Sequence, residues 1–445
     1  MDRELIMRPL SLLRKMLDGK LRWLLMGWMF LISAIAYLDR VNLSIAGQAV
    51  QKDHGLTDVQ LGWVFSAFLI GYAMFQVPGG WLADRYGPRL VISAGVVWWG
   101  VFTTLTALVP PGLATSIALL VGTRFLLGVG EAVLFPSSNK LVSAWIPSAE
   151  RGLANGLIFA GVGAGAGITP PLIIYILTLW GWHASFYASA GIGLLVGLGW
   201  LLLVRDQPRS HPLASAEEVA TIEAGIPAAS HADAEALSWR AILGSRNVWA
   251  VTASYFAFCY VTYIFFSWFF IYLSRVRGLD LKSSALYSML PFLAMVGGAL
   301  LGGWVADWIT RHVNRRLGRC GVAAFGLLLA SVFLALATQV ESARVASIVL
   351  AGGAGAIYIS QSAFWAVTAD IAGKSAGTVS GLMNMGGQIG GAVTASLTPW
   401  IAEHFGWTSS FLAAAVVCLA GSFAWGLVRP DQTILGRRHP ASFPT

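Results

Sequence analysis

Twelve apolar runs, each about 20 residues long, limit what this chain can fold into more than any other feature. They lie near 22–46, 59–83, 90–108, 117–145, 153–177, 184–204, 249–273, 285–306, 319–338, 345–369, 376–402 and 409–428. Continuous apolar runs of this length, without the alternation of a barrel strand, read as membrane-spanning helices, which pair their backbone groups internally. Hydrophobic residues make up 56% of the 445 and charged ones only 11%, which excludes a soluble fold of this length. The expected fold class is an all-α membrane protein with twelve transmembrane helices and both ends on one side.

The formal charge of +8 does not point to nucleic acid. With a cytoplasmic N-terminus, 21 of the Lys and Arg residues fall on the cytoplasmic side, 5 outside and 3 within spans, which is the positive-inside pattern of a multi-pass protein in the cell's inner membrane. The outer loop with Arg275, Arg277 and Lys282 is the exception, and we read it as a solvated loop. Cys259, Cys320 and Cys418 are far apart within spans and form no disulfide or metal spacing. The seven histidines have no paired spacing at depth, and no phosphate-binding Gly-rich loop is followed by Lys. Metal, cofactor, hydrolase and ATP-driven readings are therefore disfavoured.

The second half of the chain repeats the first. At an offset of 225, Gly152, Gly156, Gly181, Trp182, Phe186 and Trp200 return as Gly377, Gly381, Gly406, Trp407, Phe411 and Trp425. At 223, Gly80-Trp81-x-Ala83-Asp84 returns as Gly303-Trp304-x-Ala306-Asp307. Two pseudo-symmetric six-helix bundles follow: 22–204 and 249–428, after a cytoplasmic segment 1–21, joined by a cytoplasmic linker 205–248 and followed by a tail 429–445. Such repeats place a substrate site near the bilayer midplane between the halves. Within the linker, residues 216–224 read as a short helix, and Pro208, Pro212 and Pro227 mark it as a connector.

Four ionisable residues lie deep inside spans: Asp39 and Arg40 in the first, Arg124 and Glu131 in the fourth. Charge at bilayer depth is costly and is ordinarily kept for a ligand or ion path. At 1.5 Å per residue Asp39 and Glu131 stand roughly 24 and 21 Å above the cytoplasmic face, at one level. Arg124 and Glu131, seven residues apart, share a helix face. The acids are candidates to carry protons, Arg40 to clamp an anionic substrate, and Arg124 to tune the acids. A static ion-pair cluster locking two helices is the structural alternative. The second half has no charge at this depth; Asp307, Asp370, Lys374 and Glu403 sit at span ends. Its candidates are neutral: Phe256, Tyr260 and Tyr263 on the seventh span, Gln361, Ser362 and Trp365 on the tenth, Asn384 and Gln388 on the eleventh. In the fifth span, Gly161, Gly163, Gly165 and Gly167 precede Pro170-Pro171, a pattern for close packing and bending.

The stretch Gly80-Trp81-Leu82-Ala83-Asp84-Arg85-Tyr86-Gly87-Pro88-Arg89 resembles the loop signature of the major facilitator superfamily. Tyr37-x-Asp39-Arg40-x-Asn42-x-Ser44, Gly128-x-Gly130-Glu131, Glu150-Arg151-Gly152, Asp206-x-Pro208 and Phe364-Trp365 narrow the likeness to its anion:cation symporter family, which includes sugar-acid transporters. The resemblance implies proton coupling at Asp39 and Glu131 and substrate contacts at Tyr37, Arg40, Tyr72, Trp365 and Asn384. It also implies gating by Asp84 with the nearby bases Arg85 and Arg89. The expectation is a non-enzymatic secondary transporter, working as a monomer in the lipid bilayer, that takes up a small organic anion such as a sugar acid together with protons. The apolar run Phe159-Ala160-Gly161-Val162 leaves room for a less hydroxylated or aromatic acid. A proton-coupled drug exporter and a membrane sensor that has lost turnover are the alternatives.

Overall fold

Glycine and proline set where each helix starts and stops. In the computed structural model, which describes residues 19–112, 115–226, 236–269 and 272–435, helix α1 (Leu21–His54) ends on Gly55 in the left-handed region. Thr57 and Gln60 then cap α2 (Asp58–Tyr86) reciprocally, side chain to backbone in both directions. Gly87, at φ 86°, turns the chain into α3 (Pro88–Leu108), whose first residue is a proline with its φ already helical. The fourth span is built from α4 (Ser116–Glu131) and α5 (Leu134–Trp145). Next comes α6 (Arg151–Leu203), which folds back on itself at Gly181.

In the linker, α7 (Ala216–Gly225) starts at the Ser215 cap and α8 (Trp239–Leu243) leads into the second bundle. That bundle comprises α9 (Arg246–Ser267), α10 (Leu281–His312), α11 (Val322–Ala337), α12 (Ala343–Ile359), α13 (Gln361–Ala372), α14 (Ala376–Phe405) and α15 (Trp407–Ala424). Ten stretches among the described residues are long and apolar enough to cross a bilayer, and two of these, of 56 and 63 residues, each cross twice. Twelve crossings result.

The duplication read from the sequence is visible in backbone angles. Gly181 (φ 79°, ψ 173°) and its repeat Gly406 (φ 84°, ψ 159°) make the same turn between two spans. Both need a residue without Cβ at positive φ. In the fifth span, a Cβ built on Gly161 or Gly165 would lie 2.3 or 2.2 Å from the carbonyl oxygens of Phe30 and Ala34 on α1. Gly163 faces the other way, toward Phe292 and Val296 of α10, while Gly167 meets open space. The glycines therefore press α6 against its own bundle on one face and the other bundle on the opposite face. Large apolar side chains such as Leu195, Leu202 and Phe423 point outward, as a surface solvated by lipid requires. The segment before residue 19, the linker stretch with Pro227, and the tail beyond 435 lie outside the described residues, as do the side chains of Arg275 and Lys282.

Candidate functional site

The four deep charges meet in one place. Asp39 and Arg124 are 2% exposed and Glu131 is fully buried. Arg40 donates from Nε to Glu131 Oε2 at 2.8 Å. Asp39 is within electrostatic reach of both Glu131 and Arg124. Both guanidinium groups lie against the Phe68 ring, Arg40 5.2 Å and Arg124 5.1 Å from its centroid. Asp39 lies beside the Ser189 hydroxyl, while Glu131 Oε1, Arg40 Nη2 and Arg124 Nε have no hydrogen-bond partner among the described residues. Each buried polar group left unpaired costs roughly 1–3 kcal/mol. A cluster built only to join α1 to α4 would pair them.

Arg40 links this cluster to a chamber between the bundles. Its guanidinium lies 4.1 Å from the Tyr72 ring centroid and 4.8 Å from that of Tyr37, and both tyrosines line the chamber. From the second bundle come Tyr255, Cys259 and Tyr263 of α9, Gln361 and Trp365 of α13, and Asn384 and Gln388 of α14. Phe135 and Phe159 stack at 5.0 Å between centroids, and Trp365 packs on Phe159 at 5.1 Å, so aromatic rings from both bundles close one wall. The chamber encloses about 30 Å³, room for about two waters.

Of the sequence candidates, Tyr37, Tyr72, Tyr263, Trp365 and Asn384 line this chamber, and Arg40 touches its tyrosines. Arg124 lies behind Phe68, in the charged cluster. Tyr260 is buried but is not among the lining residues, and neither are Phe256 and Ser362. The lining face of α9 runs through Tyr255, Cys259, Thr262, Tyr263 and Phe266 instead. Sequence reading missed Tyr255 and Cys259, although their spacing to Tyr263 is also helical.

On the linker side the bundles meet through two latches related by the duplication. The Asp84 carboxylate accepts from the backbone N–H of Gly377 at 3.1 Å and of Thr378 at 2.7 Å, and from Thr378 Oγ1 at 2.6 Å. Asp307 accepts from the N–H of Gly152 at 2.9 Å and of Leu153 at 2.6 Å. Each carboxylate thus satisfies orphan donors at the start of a helix in the opposite bundle. The bases Arg85 and Arg89 do not join the Asp84 latch. Arg85 lies against the rings of Trp81 and Tyr86, and Arg89 bonds Leu201 O and, through its N–H, Asp206. The base beside Asp84 is Lys140, at 3.5 Å. Asp307 is held by Arg319 at 2.7 Å, and Arg151 pairs with Asp370 at 2.6 Å beside it.

Two helical bundles closed over a central chamber, with the charge at chamber level supplied by one of them, define a membrane transporter rather than an enzyme. The profile of the Major Facilitator Superfamily matches residues 29–395 and 313–442. The chain belongs to this superfamily. It is 35% identical over 421 residues to the probable sulfoacetate transporter SauU of Cupriavidus necator, covering 93% of this chain and 95% of that one. It is 32% identical to the probable galactarate/D-glucarate transporter GudP of Bacillus subtilis, over 91% of this chain and 90% of the relative. With the D-galactonate transporter of Escherichia coli it shares 27% over 94% and 98%. The solved proton:xylose symporter XylE superposes with a TM-score of 0.73 at 15% identity, covering 91% of this chain and 96% of XylE, and so shares the fold.

Proposed function

We propose that this transporter takes up a small organic anion together with protons, by alternating access between the bundles 22–204 and 249–428. The observation that carries the reading is the Arg40–Glu131 pair, with Arg40 Nη2 unpartnered beside the chamber tyrosines. With both acids ionised the cluster is neutral: two carboxylates, two guanidinium groups. A substrate anion bound to Arg40 competes with Glu131, and protonation of Glu131 frees the guanidinium for it. One proton per substrate charge keeps the buried cluster neutral while the chamber closes. Asp39, buried within electrostatic reach of Glu131 and Arg124, is the second proton acceptor.

The relatives carry sulfonated or hydroxylated carboxylates by name, which supports a sugar acid or a related short anion as cargo. The aromatic wall of Phe135, Phe159 and Trp365 favours the compact end of that range. The basic residues on the linker side support an inner-membrane protein with cytoplasmic termini. A single chain contains the whole site, which supports a monomer as the working unit.

Proteoliposomes with an imposed pH gradient, offered sulfoacetate, D-galactonate and D-glucarate, test the proposal. At least one should accumulate, and Asp39→Asn and Glu131→Gln should each abolish accumulation against the gradient. Continued concentrative uptake by either variant would sink the assignment of the acids. Uptake of organic cations with none of the anions would select the exporter reading, and binding without flux the sensor reading.

A further inference from the structure

Four neutral side chains form a directional hydrogen-bond chain along one wall of the chamber. Tyr263 Oη donates to Gln388 Oε1 at 2.7 Å, Gln388 Nε2 to Asn384 Oδ1 at 3.3 Å, and Asn384 Nδ2 to Gln76 Oε1 at 2.8 Å. The first three residues belong to the second bundle and line the chamber. Gln76 alone comes from the first, on α2, one helical turn after Tyr72. It is fully buried, and its Nε2 has no partner. Here α2 and α14 also touch backbone to backbone, since a Cβ on Gly381 would lie 2.5 Å from Gln76 O. When the bundles part at this level, the link in the chain that breaks is Asn384–Gln76.

We propose that Gln76 is a positioning residue of the transport cycle: in the empty carrier its amide oxygen takes the place on Asn384 of a substrate oxygen, and so lets the bundles close over an unloaded chamber. A chamber closing empty would otherwise leave the Asn384 donor facing no acceptor, and the bond formed across the bundles favours closure by about one net hydrogen bond, roughly 0.5–1.5 kcal/mol. Gln76 supplies the acceptor without charge, so the neutral cluster around Arg40 is undisturbed. Loaded, the carrier closes on substrate; unloaded, it closes on Gln76. The idea rests on Asn384 contacting the substrate, but its first test needs no substrate.

Cys259 lines the same chamber and is a built-in reporter of its opening, and the other two cysteines, Cys320 and Cys418, can be replaced by Ala to leave it alone. In substrate-free proteoliposomes, Gln76→Leu should speed alkylation of Cys259 by a membrane-impermeant maleimide about 2- to 12-fold, the population shift that one net hydrogen bond gives. The exchanged pair Gln76→Asn with Asn384→Gln keeps the combined side-chain length and should return the rate to within about twofold of the parent, which also separates a lost bond from a damaged fold. An unchanged labelling rate in Gln76→Leu, or no rescue by the exchanged pair, overturns the proposal. With D-galactonate as probe, net uptake by Gln76→Leu should fall by a similar factor, while exchange of internal for external D-galactonate, which never requires the empty carrier to return, should stay near the parent rate. Equal loss of both would make Gln76 a plain substrate contact or a structural residue and overturn it too. If D-galactonate is not carried, the functional reading loses that substrate and the labelling result decides this one.

Discussion

The two latches share one backbone plan and differ in what surrounds the carboxylate. In each, a glycine four residues before the aspartate, Gly80 or Gly303, brings two helices into contact, and the aspartate caps a helix of the other bundle. Around Asp307 lie Arg319, Arg151 and Asp370, all with 0% side-chain exposure. Asp84 makes an ion pair with Lys140, which is 15% exposed and also bonded to the Lys374 carbonyl. The two halves share the capping geometry, and a fully buried charge network surrounds one copy only. A helix cap alone contributes about 1 kcal/mol and is easily made and broken, whereas a buried network resists partial disruption. We therefore expect the Asp84 contact between α2 and α14 to release first, with the Asp307 contact between α10 and α6 acting as the pivot.

The largest effect should come from removing the plan that both latches share. A Cβ on Gly80 would lie 2.1 Å from Gly377 O, and one on Gly303 2.4 Å from Gly152 O. Both neighbours are backbone and cannot rotate away, and overpacking of this kind costs about 1–3 kcal/mol. Gly80→Ala and Gly303→Ala should each hold the linker side ajar and lower uptake in proteoliposomes by about tenfold or more. Unimpaired uptake by Gly303→Ala would show that the second contact is no part of closure.

A second comparison, read in stability rather than in uptake, separates the two charge settings. Arg319→Met leaves Asp307 and Asp370 with Arg151 alone, one buried carboxylate uncompensated, and should destabilise the protein by about 3–5 kcal/mol. Lys140→Met removes a single partly exposed base at 3.5 Å and should cost about 1 kcal/mol or less. Thermal melts of the two variants in detergent read the difference directly. Equal losses would mean that the asymmetry between the latches is only geometric.

Much of this was legible in the sequence because hydrocarbon leaves few choices. Spans, the duplication and the depth of Asp39, Arg40, Arg124 and Glu131 follow from run length, repeat offset and helical rise, and the structure brings the four charges together. The phase of α9 was not legible. Tyr263 belongs to two helical registers, one through Phe256 and Tyr260 and one through Tyr255 and Cys259, and a one-residue shift turns a face by about 100°. In a helix apolar on every side, no polar stripe chooses between them. The partners at the latches were also hidden. Arg85 and Arg89 stand next to Asp84 in sequence, but Lys140 reaches it through the packing of α5, and Asp307 finds Gly152 155 residues away. Contacts between bundles carry no periodicity within either one.

The smallest effect concerns the linker, which lines a cavity beside the Asp84 latch and also meets Ser148, next to Arg319, through the Gly225 carbonyl. A cavity of about 580 Å³ is lined by Asp84 and Lys140 together with Asp206, Arg209 and Glu223 of the linker. The linker is seated there by His211, whose Nε2 donates to Leu203 O at 2.7 Å while Nδ1 accepts from the Leu213 N–H at 3.1 Å. These two bonds need the neutral imidazole with its proton on Nε2. Burial, the largest cause, pushes the His211 pKa below its ordinary 6.5; the bond to Leu203 opposes the shift and Arg205 adds to it. A histidine favoured neutral in the folded state contributes stability that is present above its unfolded pKa and is lost as pH falls from about 6.5 through the lowered folded value. Limited proteolysis after Arg205 and Arg209, normalised to a peptide carrying the same sites, should therefore quicken modestly between pH 7.5 and 5.5, and His211→Leu should be cut at the faster rate throughout. The bonds of His211 go to Leu203 and Leu213 and not to the loop after His312, so cleavage in that loop should not follow the same pH dependence. A flat profile at Arg205 and Arg209, or a parallel one after His312, would break the link between the linker and the Asp84 latch.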